Sequence, residues 1–183
     1  DPGTRYRYSA SPTVLGRLVE VWSGLSFDEF VATRITGPLG MTDTGFHVRP
    51  EQLERFASVY ATSDEGGLTP HRMEEVPFTE RPALMEGSVG LVSTVPDFLR
   101  FSQMLLDGGV FDGQRLLDEA SVARLVSNGL PDEILATRGG GAGWGMGSVR
   151  VVVDAEAAGP GAREGEYRWD GSAGTEFWVD PSS

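Results

Sequence analysis

The spacing of apolar residues predicts two helices near the start of the chain. Apolar positions recur at helical intervals over 12–22, and Gly24 ends the run. Ser26 is followed three residues later by Glu29, which is the pattern of a capping box at the start of a second helix. Gly37-Pro38 ends that helix. Two helices joined by so short a loop are expected to pack as a helical hairpin.

A third helix is predicted after Thr94, where Pro96 and Asp97 suit the first helical turn and Gly108-Gly109 ends the helix. A fourth helix is predicted over about 118–127. The buried stripe of the third helix is expected to consist of Phe98, Phe101, Met104 and Leu105.

Irregular segments and short strands fill the rest of the chain. The stretch 40–82 is rich in loop-forming residues, with a short helix expected at 51–56 and a strand near 57–62. The glycine-rich run 139–147 is expected to be a flexible loop that gives way to close strand packing. Alternating apolar residues predict three strands near the end of the chain, at 149–153, 166–169 and 175–179.

Helices followed by antiparallel strands predict an α+β fold. We expect a helical lobe with loops over 1–140 and the first strands of an antiparallel sheet over 141–183, together part of one domain. Two or three strands do not make a stable sheet unless something covers one face and pairs the edges. The sequence therefore looks truncated at both ends, and we expect a partial fold.

Composition excludes several kinds of chemistry within this chain. All fifteen basic residues are arginine, so these 183 residues contain no P-loop, Schiff-base lysine or Ser-x-x-Lys pair. There is no cysteine for disulfides or thiolate catalysis. The net charge of −12 argues against a nucleic-acid partner. No apolar run approaches the roughly 20 residues of a membrane-spanning helix.

The side chains most often used in catalysis form no familiar pattern. His47 and His71 lie in unrelated loops without metal-ligand spacing, so neither a metal site nor a cofactor is predicted. Ser88 and Ser172 each lack the first glycine of a G-x-S-x-G nucleophile elbow. The acidic pair Glu74-Glu75 is expected to be solvated and not to form a catalytic dyad.

Six segments, taken in order, resemble one protein family. These segments are 2–9 (PGTRYRYS), 15–20 (LGRLVE), 38–44 (PLGMTDT), 87–94 (GSVGLVST), 98–106 (FLRFSQMLL) and 170–181 (DGSAGTEFWVDP). They resemble the serine β-lactamase-related family, the class C-like group that includes family VIII carboxylesterases, D-aminopeptidase-like enzymes and acyltransferases of the same fold. The resemblance implies a β-lactamase/transpeptidase-like fold with an antiparallel sheet flanked by helices.

The resemblance also implies a serine hydrolase that acts on a small-molecule ester or amide through an acyl-enzyme, without a cofactor. Tyr8 matches the tyrosine of the family's Tyr-x-Asn motif, which relays the proton of the nucleophilic serine. Ala10 stands where that motif has asparagine, a departure that is similar to the esterase and transesterase branch. Trp169-Asp170-Gly171 stands where esterases often have Trp-x-Gly and β-lactamases have Lys-Thr-Gly. Trp169 and Gly171 would line the acyl pocket, and the Ser172 amide would face the oxyanion.

Several alternatives stay open at the level of the sequence. The family's Ser-x-x-Lys motif is expected upstream of Tyr8, so the chain alone is expected to be catalytically incomplete. A β-lactamase, a D,D-peptidase or a non-catalytic binding protein on this fold are the rival functions. Tyr6 and Tyr8 could also be alternating aromatics on an extended segment, and Trp169 and Trp178 could be sheet aromatics that cover a core. Nothing in the sequence indicates a compartment.

Overall fold

The computed structural model describes residues 3–71 and 78–182, so Glu74-Glu75 lies outside the described residues. Its α-helices are α1 Ser11–Ser23, α2 Phe27–Val31, α3 Val95–Leu106, α4 Glu119–Val126, α5 Asp132–Arg138 and α6 Ala155–Ala158. Its strands are β1 Val59–Thr62, β2 Leu68–His71, β3 Val110–Phe111, β4 Gln114–Arg115, β5 Ala142–Trp144, β6 Arg150–Val152, β7 Tyr167–Asp170 and β8 Glu176–Val179. Among these described helices, none is long and apolar enough to cross a membrane.

The chain divides into two compact units, and the boundary falls within α3. One unit comprises residues 10–98, and the other combines residues 1–9 with 99–183. The second unit therefore brings the first residues of the chain together with the last strands. The division at residues 140 and 141 stays a prediction.

In unit 10–98, α1 ends and α2 begins where their capping residues predict. Gly24 adopts a left-handed conformation with φ 72° and ends α1. The Ser26 amide donates to a Glu29 carboxylate oxygen at 3.1 Å, which completes the capping box of α2. The two helices contact each other, with Gly16 of α1 against the ring of Phe27. The predicted pairing of these helices is confirmed, although the second ends in a π-helical turn, Ala32–Thr36.

The stripe predicted on α3 is buried less completely than expected. Met104 is buried, whereas Phe98, Phe101 and Leu105 are only half-buried. Asp97 in the first turn is the other buried residue of this helix and is 5% exposed. Its carboxylate accepts hydrogen bonds from the Asp43 amide and the Thr44 hydroxyl, both at 2.8 Å. A polar contact thus fixes the start of α3 in unit 10–98.

The last strands form one antiparallel four-stranded sheet in the order β5-β6-β7-β8. Its first strand, β5, lies inside the glycine-rich run 139–147, so the close strand packing expected after a flexible loop already begins at Ala142. The backbone of Gly143 passes so close to Asn128 that an added Cβ would lie 2.3 Å from the Asn128 side-chain oxygen. Glycine is needed here for close packing in a strand. With two further antiparallel hairpins, β1-β2 and β3-β4, the predicted α+β class is confirmed.

Tyr167 lies at the centre of the core beneath this sheet. It is 1% exposed and packs with Val149, Val151 and Val179. Its hydroxyl is buried with no hydrogen-bond partner among the described residues. Burial raises the pKa of Tyr167 from the usual 10 to about 12.

We expect Tyr167→Phe to protect the fold against alkaline unfolding. The folded state holds the hydroxyl proton more tightly than the unfolded state, so this group stabilises the fold below about pH 10. That contribution is lost as the pH rises from about 10 to about 12, and phenylalanine has no proton to lose. Urea unfolding at pH 8 and pH 11 measures the effect, with exposed Tyr60→Phe as the control. An equal loss of stability at pH 11 in the wild type and Tyr167→Phe would contradict this prediction.

Candidate functional site

Aromatic side chains gather at one end of the four-stranded sheet. Trp144 is the last residue of β5, Arg150 is the first of β6, and Trp169 is the next-to-last of β7. Because neighbouring antiparallel strands run in opposite directions, these three positions meet at the same end. Tyr6 and Tyr8, from the first residues of the same unit, contact the tryptophans there.

The four rings form a continuous contact network, called here the aromatic cluster: Tyr6, Tyr8, Trp144 and Trp169. Tyr8 stacks on Trp169 with ring centroids 5.9 Å apart and an interplanar angle of 29°. Trp144 meets Trp169 edge to face at 4.9 Å and lies 6.2 Å from Tyr8 and 5.3 Å from Tyr6. Each such pair contributes roughly 0.5–1.5 kcal/mol beyond its buried area. Trp144 touches every other ring and so holds the cluster together.

The Tyr8 side chain remains 69% exposed although its ring is stacked. An aromatic platform thus holds the ring while the side chain stays open to solvent. This arrangement suits a hydroxyl that must meet a second reactant, because positioning and access are both needed for proton transfer.

Two arginines cover the aromatic cluster. The Arg138 guanidinium carbon lies 4.0 Å from the Tyr6 ring centroid and 5.9 Å from that of Trp144. The Arg150 guanidinium carbon lies 5.0 Å from the Trp169 centroid, and its side chain forms an ion pair with Asp170 at 3.2 Å. Stacking of this kind is worth roughly 0.5–2 kcal/mol per contact. Burial raises the pKa of Tyr6, and the charge and hydrogen bond of Arg138 oppose that shift.

Asn128 positions Trp144 from the loop after α4. Its side-chain oxygen accepts hydrogen bonds from the amides of Trp144 and Leu130, both at 3.1 Å. The Gly129 amide donates to the Trp144 carbonyl at 2.9 Å. The backbone of Trp144 is thereby held on both sides, and its ring is directed at the tyrosines.

A tight turn follows Trp169 and contains the two other predicted site residues. The Gly171 amide donates to the Thr175 carbonyl at 2.8 Å, and the Gly174 amide donates to the Gly171 carbonyl at 3.0 Å. An added Cβ on Gly171 would lie 2.5 Å from the Thr175 hydroxyl oxygen, so a larger residue there would require the Thr175 side chain to shift. Among the described residues, no group accepts a hydrogen bond from the Ser172 amide.

The structure brings some of the predicted site residues together. Tyr8 and Trp169 are in contact although 161 positions separate them (169 − 8), and Gly171 and Ser172 follow in the adjoining turn. Trp178, considered as a core-covering aromatic, is largely exposed. The catalytic roles of these residues stay predictions.

Sequence reasoning missed Trp144, Arg138 and Asn128. Trp144 is the one large aromatic within a glycine-rich run, a pattern that also fits a backbone packed closely beside a side chain. No comparable local signal marks Arg138 or Asn128, because each acts through residues distant in sequence. Within residues 3–71 and 78–182, no cluster of three acidic or histidine side chains could hold a metal ion.

Comparison with known proteins settles the family. The sequence profile of the family described as Beta-lactamase matches residues 1–183. The chain belongs to the serine β-lactamase-related family. Family members that resemble it include proteins named as an esterase, penicillin-binding proteins and acyltransferases. The hydrolase class predicted from the sequence motifs is thereby confirmed at the level of the family.

Two relatives and one solved structure illustrate the likeness. Protein Rv1367c of Mycobacterium tuberculosis is 34% identical over 192 residues, which cover 100% of this chain and 47% of that protein. Esterase EstB of Burkholderia gladioli is 33% identical, covering 98% of this chain and 47% of EstB. The structure of EstCE1, "a hydrolase with promiscuous acyltransferase activity", is 25% identical with a TM-score of 0.83, covering 100% of this chain and 50% of EstCE1. The chain thus spans about half the length of the relatives it matches, and its β-lactamase/transpeptidase-like fold is confirmed.

Proposed function

We propose that this chain forms part of a serine hydrolase that cleaves small-molecule esters through an acyl-enzyme. The observation that carries the proposal is the stacking of Tyr8 on Trp169 within the aromatic cluster, at 5.9 Å. Two motifs far apart in sequence thereby share one place in the fold, as residues acting on one reacting centre must. The likeness to esterase EstB supports esters as the substrate class, and the likeness to EstCE1, described as a hydrolase with acyltransferase activity, supports acyl transfer.

In this proposal Tyr8 moves the proton of the nucleophilic serine. It takes that proton as the serine attacks the ester carbonyl and returns it to the departing alcohol. A tyrosine hydroxyl in water ionises near pH 10, so this role at neutral pH requires a nearby cation. Its exposed side chain leaves room for the serine to approach.

The turn after Trp169 would stabilise the charge that develops on the substrate. The Ser172 amide has no acceptor among the described residues and is free to donate to an oxyanion. Gly171 helps to close the turn through the hydrogen bond that its amide donates to the Thr175 carbonyl. Trp169 supplies an apolar wall for the acyl group.

We propose that a segment outside these 183 residues supplies the nucleophilic serine and its lysine. The 183 residues contain no lysine, so they contain no Ser-x-x-Lys motif. The matched relatives are about twice as long as this chain, which leaves room for that motif. The chain alone is then catalytically incomplete.

A labelling and turnover experiment tests the proposal. The full-length gene product and the 183-residue chain are each treated with a fluorophosphonate probe and with p-nitrophenyl butyrate. We expect the full-length protein to be labelled and to release a burst of nitrophenol, and the chain alone to do neither. Ester hydrolysis by the chain alone, or hydrolysis by the full-length protein that the probe does not stop, would contradict the proposal.

Further substrates, given to the same full-length protein, test the rival functions. Turnover of the β-lactam nitrocefin faster than the ester would favour a β-lactamase. Release of D-alanine from a D-Ala-D-Ala peptide would favour a D,D-peptidase. Failure to turn over or to be labelled by any of these reagents would favour a binding protein on this fold.

A further inference from the structure

The two arginines on the aromatic cluster differ in whether they form an ion pair with a carboxylate. Arg150 forms an ion pair with Asp170 at 3.2 Å. Among the described residues Arg138 forms no ion pair with a carboxylate, its side chain hydrogen-bonds Tyr6, and its Nε atom is buried without a hydrogen-bond partner.

The stacking of Arg138 fixes how its donors are presented. Its guanidinium lies 4.0 Å from the Tyr6 ring centroid, so one flat face is used by the ring. The N–H donors lie in the guanidinium plane and point outward from its edge. Such an edge pairs with the two oxygens of a carboxylate through two parallel hydrogen bonds.

Arg138 also lies beside the proposed reacting group. The Trp144 ring centroid lies 5.9 Å from the Arg138 guanidinium carbon and 6.2 Å from the Tyr8 ring centroid. An ester bound with its carbonyl near Tyr8 could run along the Trp144 ring and end at Arg138. The apolar ring would contact the connecting carbons.

We propose that Arg138 is a specificity-determining residue that binds a carboxylate, so that the natural substrate is an ester carrying a free carboxylate on its acyl part. This inference rests on the proposed function, because it places the reacting ester at Tyr8. Arg150 is not assigned to bind the substrate carboxylate, since it already forms an ion pair with Asp170.

Two esters of equal size test the inference in the full-length protein. Mono-p-nitrophenyl glutarate ends in a carboxylate, and p-nitrophenyl 4-carbamoylbutanoate ends in a neutral amide of the same shape. We expect Arg138→Gln to raise KM for the glutarate ester at least about tenfold, the factor for losing one charge-assisted pair, and to change KM for the carbamoyl ester less than about twofold. Arg150→Gln is the matched control and is expected to leave the ratio of the two esters unchanged. Equal losses for both esters, or the same loss in Arg150→Gln, would overturn the proposal.

Binding without turnover separates this proposal from the proposed function. Glutarate and glutaramide are titrated against the full-length protein while tryptophan fluorescence is followed, since Trp144 and Trp169 lie at the site. We expect glutarate to bind more tightly than glutaramide and Arg138→Gln to abolish the difference. Arg138→Lys keeps the charge without the planar edge, so it is expected to recover part of the glutarate affinity, and circular dichroism checks that each variant folds. Equal affinities of the wild type for the two ligands would overturn carboxylate binding at Arg138 even if the ester is hydrolysed. A preference for glutarate that Arg138→Gln abolishes would uphold carboxylate binding at Arg138 even if hydrolysis, and with it the proposed function, fails.

Discussion

Replacing Tyr8 by phenylalanine is expected to reduce the burst rate of the full-length protein with p-nitrophenyl butyrate by at least about 10²-fold, the lower end of the usual contribution of general acid–base catalysis. The change removes only the hydroxyl. The ring that stacks on Trp169 at 5.9 Å and meets Trp144 at 6.2 Å is kept, so the aromatic cluster should survive. Stopped-flow measurement of nitrophenol release at saturating ester gives the rate.

Tyr6→Phe is the matched control for this prediction. Tyr6 belongs to the same cluster. Its ring centroid lies 5.3 Å from that of Trp144, and the Arg138 guanidinium stacks on its ring. The proposal gives its hydroxyl no role in proton transfer, so we expect less than about a threefold change in burst rate, far below the contribution of a general base. Similar losses in the two variants would mean that the hydroxyls act through the structure of the cluster. A normal burst in Tyr8→Phe would assign the proton transfer to another group.

The end of α1 and the start of α2 were predictable because the signals that define them are local. Ser26 and Glu29 satisfy each other's backbone within one turn, and Gly24 ends α1 whatever packs against it. The sequence pattern did not reveal β5, because its glycines resemble a loop until Asn128 is seen to occupy the space that a side chain at Gly143 would need. Close packing between distant segments decides such a strand, and it has no periodicity of its own.

The candidate site also combines residues that sequence signals could identify with residues that only the folded structure reveals. Tyr8 and Trp169 could be paired from the sequence only through the family resemblance, because nothing between residues 8 and 169 indicates that they meet. Arg138 could not be found at all. Its position over Tyr6 depends on where α5 ends relative to the first residues of the chain, which is a property of the folded unit.

We expect truncation of Asp97 to lower the free energy of unfolding more than truncation of any other polar residue in unit 10–98. Asp97 is 5% exposed, and one of its carboxylate oxygens accepts from the Asp43 amide and the Thr44 hydroxyl, both at 2.8 Å. Hydrogen bonds to a charged group contribute roughly 1.5–3 kcal/mol each, and a donor left buried without an acceptor adds its own penalty. We therefore expect Asp97→Ala to lower the free energy of unfolding by about 2–4 kcal/mol, measured by urea denaturation of the full-length protein.

Asp107→Ala is the control for Asp97→Ala, because it removes a carboxylate just after the same helix. Asp107 is exposed, and among the residues that the structure describes its carboxylate accepts only from the Gln103 side chain, at 2.9 Å, so its loss is expected to cost less than about 0.5 kcal/mol. Hydrogen exchange adds a readout at the contact itself, since the Asp43 amide should lose protection in Asp97→Ala and keep it in Asp107→Ala. Asp97→Asn retains an acceptor oxygen and should fall between the wild type and alanine. Equal losses of stability in Asp97→Ala and Asp107→Ala, with the Asp43 amide still protected, would show that the start of α3 is held by its apolar contacts and not by this carboxylate.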